Sequence, residues 1–502
     1  MPSDLPGFYF DPEKNRYFPI KRPGDKALFP DKTQKCVQPE TERFRRTTCG
    51  TTKLLHTREL SGKALINKRR STDFRHEYQK LLASQPVVWK YKDVTYNALE
   101  KFHALVETPH GRKEACILAV GNINGDISFF GVGVSEWYSD NAVECNSTRI
   151  SPPANELVAE YGAPPSICGS IAPSVPLLSS TSCIKKMASS HNDSCLSQHL
   201  LIATLGSGIS GGSLYVLHLM DPVHNYERQR TPLQRRVSEV FSTNHTIWTA
   251  DVNSSGTKAA IGTNKGAGLV SLETGVLSWV CRSKSDILSQ QFDQSGNIIF
   301  CGFRNGAIAA IDARYKHTGL SGQSVVLPKQ TIPYPSTKAN LASIGDSNRF
   351  SKKYFQFKGN LNPSGAIFMP SSICSLSLLQ SEDHYLLASS MDGSIKLFDC
   401  RALQRGAVQS YDGHVNSHSL IQLGVDPTGS ILMCGGEDGH VRIWSVKSGE
   451  LLYDSEISES VVHSVCWSHS IGDMSPWGSH MQDHSWAAWL APREGLFYVH
   501  GS

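Results

Sequence analysis

The chain has 502 residues, of which 39% are hydrophobic and 19% charged, and its net charge at pH 7 is +4. It has no run of about 18 apolar residues, and Met1–Phe10 lacks the basic and apolar regions of a signal peptide, so neither a membrane span nor secretion is expected. Its 13 cysteines include no Cys-x-x-Cys pair, which favours reduced thiols in a nuclear or cytoplasmic protein over a disulfide framework.

The charge is divided unevenly along the chain. Residues 1–85 hold 18 basic and 10 acidic residues, a balance of +8, which leaves −4 for the rest. We therefore predict a basic N-terminal arm, residues 1–90, ahead of a mildly acidic body. The arm opens with two aromatic clusters, Phe8–Phe10 and Arg16–Ile20, on either side of a turn. Disordered tails have few aromatic residues, so we expect either a short recognition segment or a hairpin that packs on the body.

A helix is predicted at the end of the arm, over residues 72–84. Its apolar residues recur at helical spacing and share one face, and Pro86 ends it. That face needs a partner, which is either the body of this protein or another protein. The residues on the face are Phe74, Tyr78, Leu81 and Leu82.

The body repeats one pattern, which is clearest at Asp392 and Asp438. Each is followed by a turn glycine and then by an alternating strand, and each precedes an aromatic residue, Phe398 or Trp444, by six positions. The two copies lie 46 residues apart, close to the period of about 40–45 residues typical of WD repeats. Such a unit cannot bury its own apolar face and must stack on others like it.

Seven candidate units follow one another in the body, and closing them into a ring would leave only short, protected sheet edges. We therefore predict an all-β fold, a seven-bladed WD-repeat β-propeller over residues 95–502, with Ala104–Val106 as the strand that completes the last blade. Two polar segments without a sustained period, residues 138–195 and 315–370, are predicted to be flexible insertions. The units are centred on residues 115–130, 199–217, 247–272, 287–314, 373–401, 419–446 and 461–499.

The residues that mark the repeat have predicted structural roles. Asp392 and Asp438 are expected to hold the tight turns, and such an aspartate accepts a hydrogen bond from a histidine of the preceding loop. His414 is placed for that contact in the sixth blade, and Trp444 ends its strand. Loss of such a buried partner is expected to cost about 1–3 kcal/mol.

No catalytic, cofactor-binding or metal site is predicted, and the chain is not expected to be an enzyme. It has no phosphate loop, nucleophile elbow or kinase signature. Two groups of residues resemble ligand sets but lack the spacing of known zinc sites. They are Cys183, His191, Cys195 and His199 in one group and His480 and His484 in the other.

The basic run Lys68–Arg70 is compatible with nuclear import, with a solvated face or with nucleic-acid binding. Three basic residues in a row are common, so direct binding of nucleic acid is not expected.

The ends of two predicted blades share the pattern apolar-Asp-x-Arg. An arginine at the end of a strand offers a planar fork of donors to a carboxylate or carbonyl group of a partner, and arginine is enriched at interface hot spots. The alternative is an ion pair with the neighbouring aspartate inside the blade. The pattern leaves both interpretations open. The residues are Ile311, Asp312 and Arg314 in the fourth blade and Phe398, Asp399 and Arg401 in the fifth.

At these positions the chain resembles the DWD box of WD-repeat substrate receptors of cullin-four RING ubiquitin ligases. Ser389–Ser390, Asp392, Ile395 and Phe398–Arg401 fit the box, with Phe398 in place of its tryptophan. The opening segment, Leu5–Lys14, and the order of the blades resemble the fourth associated-factor group of this family, in a plant form. The resemblance covers that segment and most of residues 95–500, while the two insertions have no counterpart.

The resemblance implies a non-catalytic protein that docks on the ligase adaptor, damage-specific DNA-binding protein one. The six residues of the two boxes would contact the adaptor, and the helix over residues 72–84 would be a second anchor. The opposite rim or the insertions would hold an unidentified protein substrate near the ubiquitin-charged enzyme, which raises the effective concentration of its lysines. The alternative function is a WD-repeat scaffold in another nuclear complex, for RNA processing or chromatin.

Overall fold

In the computed structural model, the described residues form 36 β-strands, one α-helix and one 3₁₀ helix. The two compact units, Met1–Cys49 and Gly50–Ser502, are taken separately. In the first unit, strands Phe8–Asp11 and Arg16–Pro19 pair in antiparallel orientation, so the two aromatic clusters lie on paired strands, and the predicted turn between them lies outside the described residues. The described residues are 8–11, 16–19, 64–67, 70–72, 74–91, 98–108, 111–133, 147–152, 164–187, 199–207, 210–219, 223–224, 236–314, 324–328, 354–359, 361–380, 384–468 and 486–501.

The second unit is a seven-bladed β-propeller, as the sequence predicts. Each blade is an antiparallel sheet whose strands are called a to d from the inner to the outer edge. In blade one, strands a to d are Ala98–Thr108, Gly111–Gly121, Asp126–Val132 and Ile167–Pro176, and in blade two they are Thr181–Met187, His199–Thr204, Ser213–His218 and Val237–Ser242. In blade three they are Ile247–Val252, Lys258–Thr263, Gly266–Ser271 and Leu277–Ser283, and in blade four Ile287–Phe292, Ile298–Phe303, Ala307–Asp312 and Leu361–Phe368.

Blades five to seven complete the ring. In blade five, strands a to d are Ile373–Leu378, Tyr385–Ser390, Ile395–Asp399 and Ala407–Tyr411. In blade six they are Leu423–Val425, Ile431–Gly435, His440–Ser445 and Leu451–Glu456, and in blade seven Val462–Ser468, Trp486–Pro492, Leu496–Gly501 and Val87–Tyr91. Shorter strands flank the blades or pair with each other at Ala64–Asn67, Arg70–Thr72, Ser147–Ser151, Val223–His224, Ser324–Pro328 and Tyr354–Gly359.

The a strands of successive blades adjoin around the ring, and the strand of blade seven adjoins that of blade one. Polar side chains of these strands bond the backbone of the next blade. Asp251 Oδ2 accepts from the Phe292 amide at 2.7 Å, and Gln291 Oε1 accepts from the Leu378 amide at 2.8 Å. Buried apolar side chains fill the spaces between neighbouring blades. Each blade therefore buries its faces against its neighbours, as a repeat of this kind requires.

The meander gives the propeller two faces. Turns between strands b and c and loops from strand d to the next strand a lie on one face, called the bc face. Turns from a to b and from c to d lie on the other, the cd face. Side chains in turns on the same face can contact the same partner, whereas those on opposite faces cannot.

The strand that closes the ring is Val87–Tyr91, which pairs with Leu496–Gly501. The sequence prediction of Ala104–Val106 was wrong, because those residues lie inside strand a of blade one. The propeller consequently begins within the segment predicted as the N-terminal arm, ahead of residue 95. Val87 and Val88 are fully buried, since the last blade needs an apolar outer strand.

The predicted insertions also supply blade strands. Ile167–Pro176 and Thr181–Met187 lie within residues 138–195, and Leu361–Phe368 lies within residues 315–370. Ile167–Pro176 and Leu361–Phe368 are outer strands with shifts of pairing register. An outer strand has a partner on one edge alone, so a regular alternation of side chains is less strictly required there, and the sequence pattern is weak.

The turn of blade five is built as predicted. Asp392 Oδ1 accepts from the Ser394 amide at 3.1 Å and from the Ser394 hydroxyl at 2.7 Å, and the Ser390 hydroxyl also donates to it. Gly393 follows with a φ of 80°, a conformation that favours glycine.

The turn of blade six differs from the prediction. His414 bonds the Gly435 carbonyl oxygen through Nε2 at 2.9 Å, and Asp438 pairs with Arg442, with Nη1 to Oδ1 at 3.1 Å. The arginine side chain is 6% exposed, and a buried cation requires an anion. Asp438 therefore neutralises Arg442 together with Asp454, whose Oδ1 lies 3.2 Å from Arg442 Nε. Burial lowers the pKa of His414 and favours its neutral ring. Trp444 is fully buried, and its Nε1 donates to the Asp412 carbonyl oxygen at 2.9 Å.

Glu437 organises the loop that enters blade six. Its Oε1 accepts from the amides of His418 and Ser419 at 3.0 and 2.9 Å, and its Oε2 accepts from the Ser417 amide at 2.9 Å. Partial burial opposes ionisation, but these bonds and those of the hydroxyl groups prevail and lower the pKa of Glu437 to about 2.

We expect Glu437→Gln to destabilise the protein by about 1–3 kcal/mol at neutral pH. A carboxylate with a lowered pKa stabilises the fold above its unfolded pKa, and that contribution is lost as the pH falls from 4.5 towards about 2. The difference in unfolding free energy between wild type and variant should therefore shrink in acid. Urea unfolding of both proteins at about pH 7 and about pH 3 measures it. An equal difference at both values would contradict this role.

Candidate functional site

The two apolar-Asp-x-Arg segments form the same structure on neighbouring blades. Asp312 ends strand c of blade four, and Asp399 ends strand c of blade five. Asp312 Oδ1 accepts from the Arg314 amide at 2.9 Å and from Arg314 Nε at 3.0 Å. Asp399 Oδ1 accepts from the Arg401 amide and Nε at the same two distances. A second bond joins Nη2 to Oδ2, at 2.6 Å in blade four and 2.9 Å in blade five. We call each of these arrangements an Asp–Arg fork.

The forks fix the charge of both partners. Hydrogen bonds from Arg401 lower the pKa of Asp399 to about 2, and the side-chain bond from Arg314 also lowers the pKa of Asp312. The pKa of Arg401 rises in turn because of its bonds with Asp399. Both pairs are therefore ionised throughout the physiological pH range, and each guanidinium plane is held by two bonds to one carboxylate.

Exposure differs within each fork. The side chains of Arg314 and Arg401 are 66% and 59% exposed, whereas those of Asp312 and Asp399 are 24% and 21% exposed. The aspartates thus lie beneath guanidinium groups that project from the cd face. The sequence left an internal ion pair and a partner-binding arginine as alternatives, but the fork combines an internal pair with an exposed cation. An arginine held in this way loses less side-chain entropy on binding a partner than a mobile one.

Two residues predicted to contact the adaptor lie elsewhere. Ile311 is 1% exposed and Phe398 is 3% exposed, and each belongs to a hydrophobic core cluster. Strand alternation sends the residue before each aspartate to the opposite side of the sheet. These side chains anchor the strand ends that carry the forks, and a docked protein would not reach them.

A short 3₁₀ helix, Leu403–Arg405, follows the fork of blade five. Leu403 is 3% exposed and packs with Phe398 and residues of blade four. This contact joins the c–d connection of blade five to strand d of blade four. Leu403 is not among the predicted site residues, although an apolar residue in a turn otherwise rich in polar groups is a signal of such an anchor.

The predicted helix extends over Phe74–Ser84 and packs on the propeller. Leu82 is 9% exposed and Ala83 is fully buried, among residues of blades six and seven, and Tyr78 packs against the same cluster. Lys80 Nζ lies 3.1 Å from Glu450 Oε2, on the c–d turn of blade six. The partner of the apolar side of the helix is thus the body of this protein, and the helix lies at the c–d turn of blade six, on the cd face.

The use of the helix as a second anchor requires revision. Leu82 and Tyr78 face the propeller, Leu81 is partly exposed, and the side chain of Phe74 lies outside the described residues. An apolar stripe facing a partner is therefore not available at Tyr78 and Leu82. Any contact with a docked protein would use the polar side of the helix.

Some of the residues that resemble metal-ligand sets in the sequence lie outside the described part of the chain. Across the residues that the structure describes, no three histidine, cysteine or acidic side chains come together as metal ligands. Cys183 is buried, with its Sγ 3.2 Å from the Ala250 amide nitrogen. None of the described helices is long and apolar enough to cross a membrane. Six of the residues considered above for metal or nucleic-acid binding lie outside the described part of the chain, namely Lys68, Arg69, His191, Cys195, His480 and His484.

Parts of this chain are similar to known proteins. A family profile for the DDB1- and CUL4-associated factor 4 β-propeller domain matches residues 343–479, which include the fork of blade five. DDB1- and CUL4-associated factor 4 of Bos taurus is 24% identical over 450 residues, which cover 89% of this chain and 78% of the relative.

Two human proteins match over shorter stretches. DDB1- and CUL4-associated factor 4 of Homo sapiens is 31% identical over 170 residues, 34% of this chain and 26% of the relative. The human DDB1- and CUL4-associated factor 4-like protein 2 is 27% identical over 194 residues, 38% of each chain. The resemblance predicted from the sequence is thus confirmed: the chain is a β-propeller protein that is similar to DDB1- and CUL4-associated factor 4.

Proposed function

We propose that this protein is a non-catalytic substrate receptor of a cullin-four RING ubiquitin ligase, and that it docks on the DDB1 adaptor through the cd face of blades four and five. The observation that carries the proposal is the pair of Asp–Arg forks, which repeat one geometry on adjacent blades. The relatives support it, because their names associate them with DDB1 and CUL4.

The chemistry of the forks suits docking. Each presents an exposed guanidinium group that retains its charge, above an aspartate that sets its orientation. A carboxylate or a cluster of carbonyl groups on the adaptor would accept hydrogen bonds from this guanidinium group. Strand c of blade six, His440–Ser445, is followed by Val446 and Lys447 and has no Asp-x-Arg at its end, so docking would centre on blades four and five. The helix Phe74–Ser84 contacts the c–d turn of blade six, on the same face, and would extend the contact.

The role in ubiquitination would be positional. A receptor held on the adaptor by one face leaves the bc face and the loops between blades for a substrate. Holding the substrate near the ubiquitin-charged enzyme raises the effective concentration of its lysines. No bond is made or broken by this chain in such a mechanism. Its location would be nuclear or cytoplasmic, where the ligase acts.

The test is affinity capture of the adaptor by the full chain. Wild-type protein should retain purified DDB1, and the variant Arg314→Ala/Arg401→Ala should retain much less. Failure of the wild type to retain DDB1 would remove the proposal and favour a propeller scaffold of another complex. In such a scaffold, other surfaces of the propeller would bind the partner proteins, and the forks would not be required.

A further inference from the structure

A group of cations occupies the bc face of blades three and four, opposite the forks. Lys265 lies in the b–c turn of blade three, Arg282 and Lys284 lie at the end of that blade, and Arg304 lies in the b–c turn of blade four. All four side chains are exposed. We call this set, with the two tryptophans described below, the basic surface.

Backbone hydrogen bonds fix these cations side by side. The Ser283 amide donates to the Lys265 carbonyl oxygen at 3.1 Å, and the Arg304 amide donates to the Asp286 carbonyl oxygen at 2.8 Å. The Ser285 hydroxyl accepts from the Asn305 amide at 3.2 Å. The loop between the blades is thereby joined to both b–c turns. The spacing of the charges is built into the backbone, unlike a set of lysines on separate mobile loops.

Two tryptophans underlie the arginines. The Arg304 guanidinium lies 5.3 Å from the ring centre of Trp248, and that of Arg282 lies 5.3 Å from the ring centre of Trp279. Both indoles are partly exposed. Cation–π contact holds each arginine over its ring, and tryptophan and arginine are the residues most enriched at binding hot spots.

The local charge balance is positive. In the described b–c turns and d–a loops of blades three and four, Asp286 is the single carboxylate, and it lies 2.9 Å from Arg304 Nε. Residues 86–502 as a whole carry a balance of −4. Nucleic acid is bound by long basic tracks that neutralise many phosphates, and an acidic body would repel the rest of such a polymer. A short basic surface on an acidic body is complementary to a short acidic segment.

We propose that the basic surface binds an acidic, extended segment of a partner protein. Glutamate or aspartate side chains of the segment would pair with Lys265, Lys284 and Arg304, and its apolar atoms would lie against the indole edges. The forks occupy the other face, so this partner and a protein docked there would bind at the same time. In a ligase receptor the partner is the substrate, and that assignment alone rests on the proposed function.

The experiment uses the full chain and a fluorescein-labelled peptide of alternating glutamate and glycine, with a glutamine version as the neutral control. Fluorescence anisotropy should show tighter binding of the glutamate peptide. Lys265→Glu/Lys284→Glu should weaken it by about tenfold or more, because two attractions become repulsions. The matched control is Lys258→Glu, an exposed lysine of the same blade on the cd face, which should change binding little. Unchanged thermal unfolding of each variant excludes loss of the fold.

Three results would overturn the proposal. The first is equal binding of the glutamate and glutamine peptides. The second is a loss of binding free energy in Lys258→Glu that is half or more of the loss in the double variant, because its change in charge is half as large and net charge alone would then explain both. The third is tighter binding of a labelled single-stranded RNA that is lost in Lys265→Glu/Lys284→Glu, which would assign the surface to nucleic acid. Retention of DDB1 by these variants is measured separately, so failure here is distinguishable from failure of the ligase proposal.

Discussion

Val88→Asp should strongly destabilise the propeller, by at least about 3 kcal/mol. Val88 is fully buried in strand d of blade seven, opposite Val499, in the apolar cluster shared with blade six. A carboxylate there would have no partner in that apolar cluster, and a charge without a partner is not tolerated in such surroundings. The strand comes from the N-terminal side of the propeller and pairs with its last strand, so its release opens the ring. Thermal or urea unfolding measures the loss.

Val408→Asp is the matched control for this change. Val408 lies in the corresponding outer strand of blade five, but its side chain is 58% exposed. The same substitution should change stability there by no more than about 0.5 kcal/mol. Equal effects of the two substitutions would show that Val87–Tyr91 does not close the ring.

Arg314→Ala and Arg401→Ala should each weaken binding of the adaptor by about 2 kcal/mol, roughly 30-fold. Both arginine side chains are exposed, and each bonds the aspartate two positions before it. Because their removal leaves no cavity in the core, the fold should remain intact. The two forks lie on adjacent blades, and their combined removal should reduce binding further than either change alone. Biolayer interferometry with purified DDB1 gives the dissociation constants.

Arg405→Ala is the control for the loss of a positive charge. Arg405 is exposed on the same connection as Arg401, at the end of the 3₁₀ helix. Its removal should have a small effect if orientation by an aspartate matters. Binding that survives the double change but is lost on deletion of residues 1–70 would make the N-terminal arm the main anchor. That deletion leaves Phe74–Ser84 and Val87–Tyr91 in place, so the ring stays closed.

The sequence predicts the blades well because each is a local unit. Alternating strands and turns at Asp392 and Asp438 are set by neighbouring residues, and the seven sheets are found where the pattern places them. The closing strand could not be predicted in the same way. Val87–Tyr91 and Ala104–Val106 are both short runs of strand-forming residues, and the choice between them depends on pairing with residues about 400 positions away in the chain.

The candidate site was predicted in part. The Asp-x-Arg pattern locates both forks, but the pattern does not show which neighbours are buried. The motif predicts Ile311 and Phe398 at the surface together with the aspartate and arginine, whereas strand alternation places them in the core. The partner of Asp438 was missed because Arg442 lies on the buried side of its strand, where a charged residue is uncommon.

Hydrogen exchange of the full chain with and without DDB1 tests the central proposal most directly. Docking on the cd face should slow exchange of backbone amides in the connections that follow Asp312 and Asp399, including Leu403–Arg405. The b–c turns that contain Lys265 and Arg304 should exchange at the same rate in both states. Protection of those turns instead of the fork connections, or no change in either region when the adaptor is bound, would contradict docking through the forks.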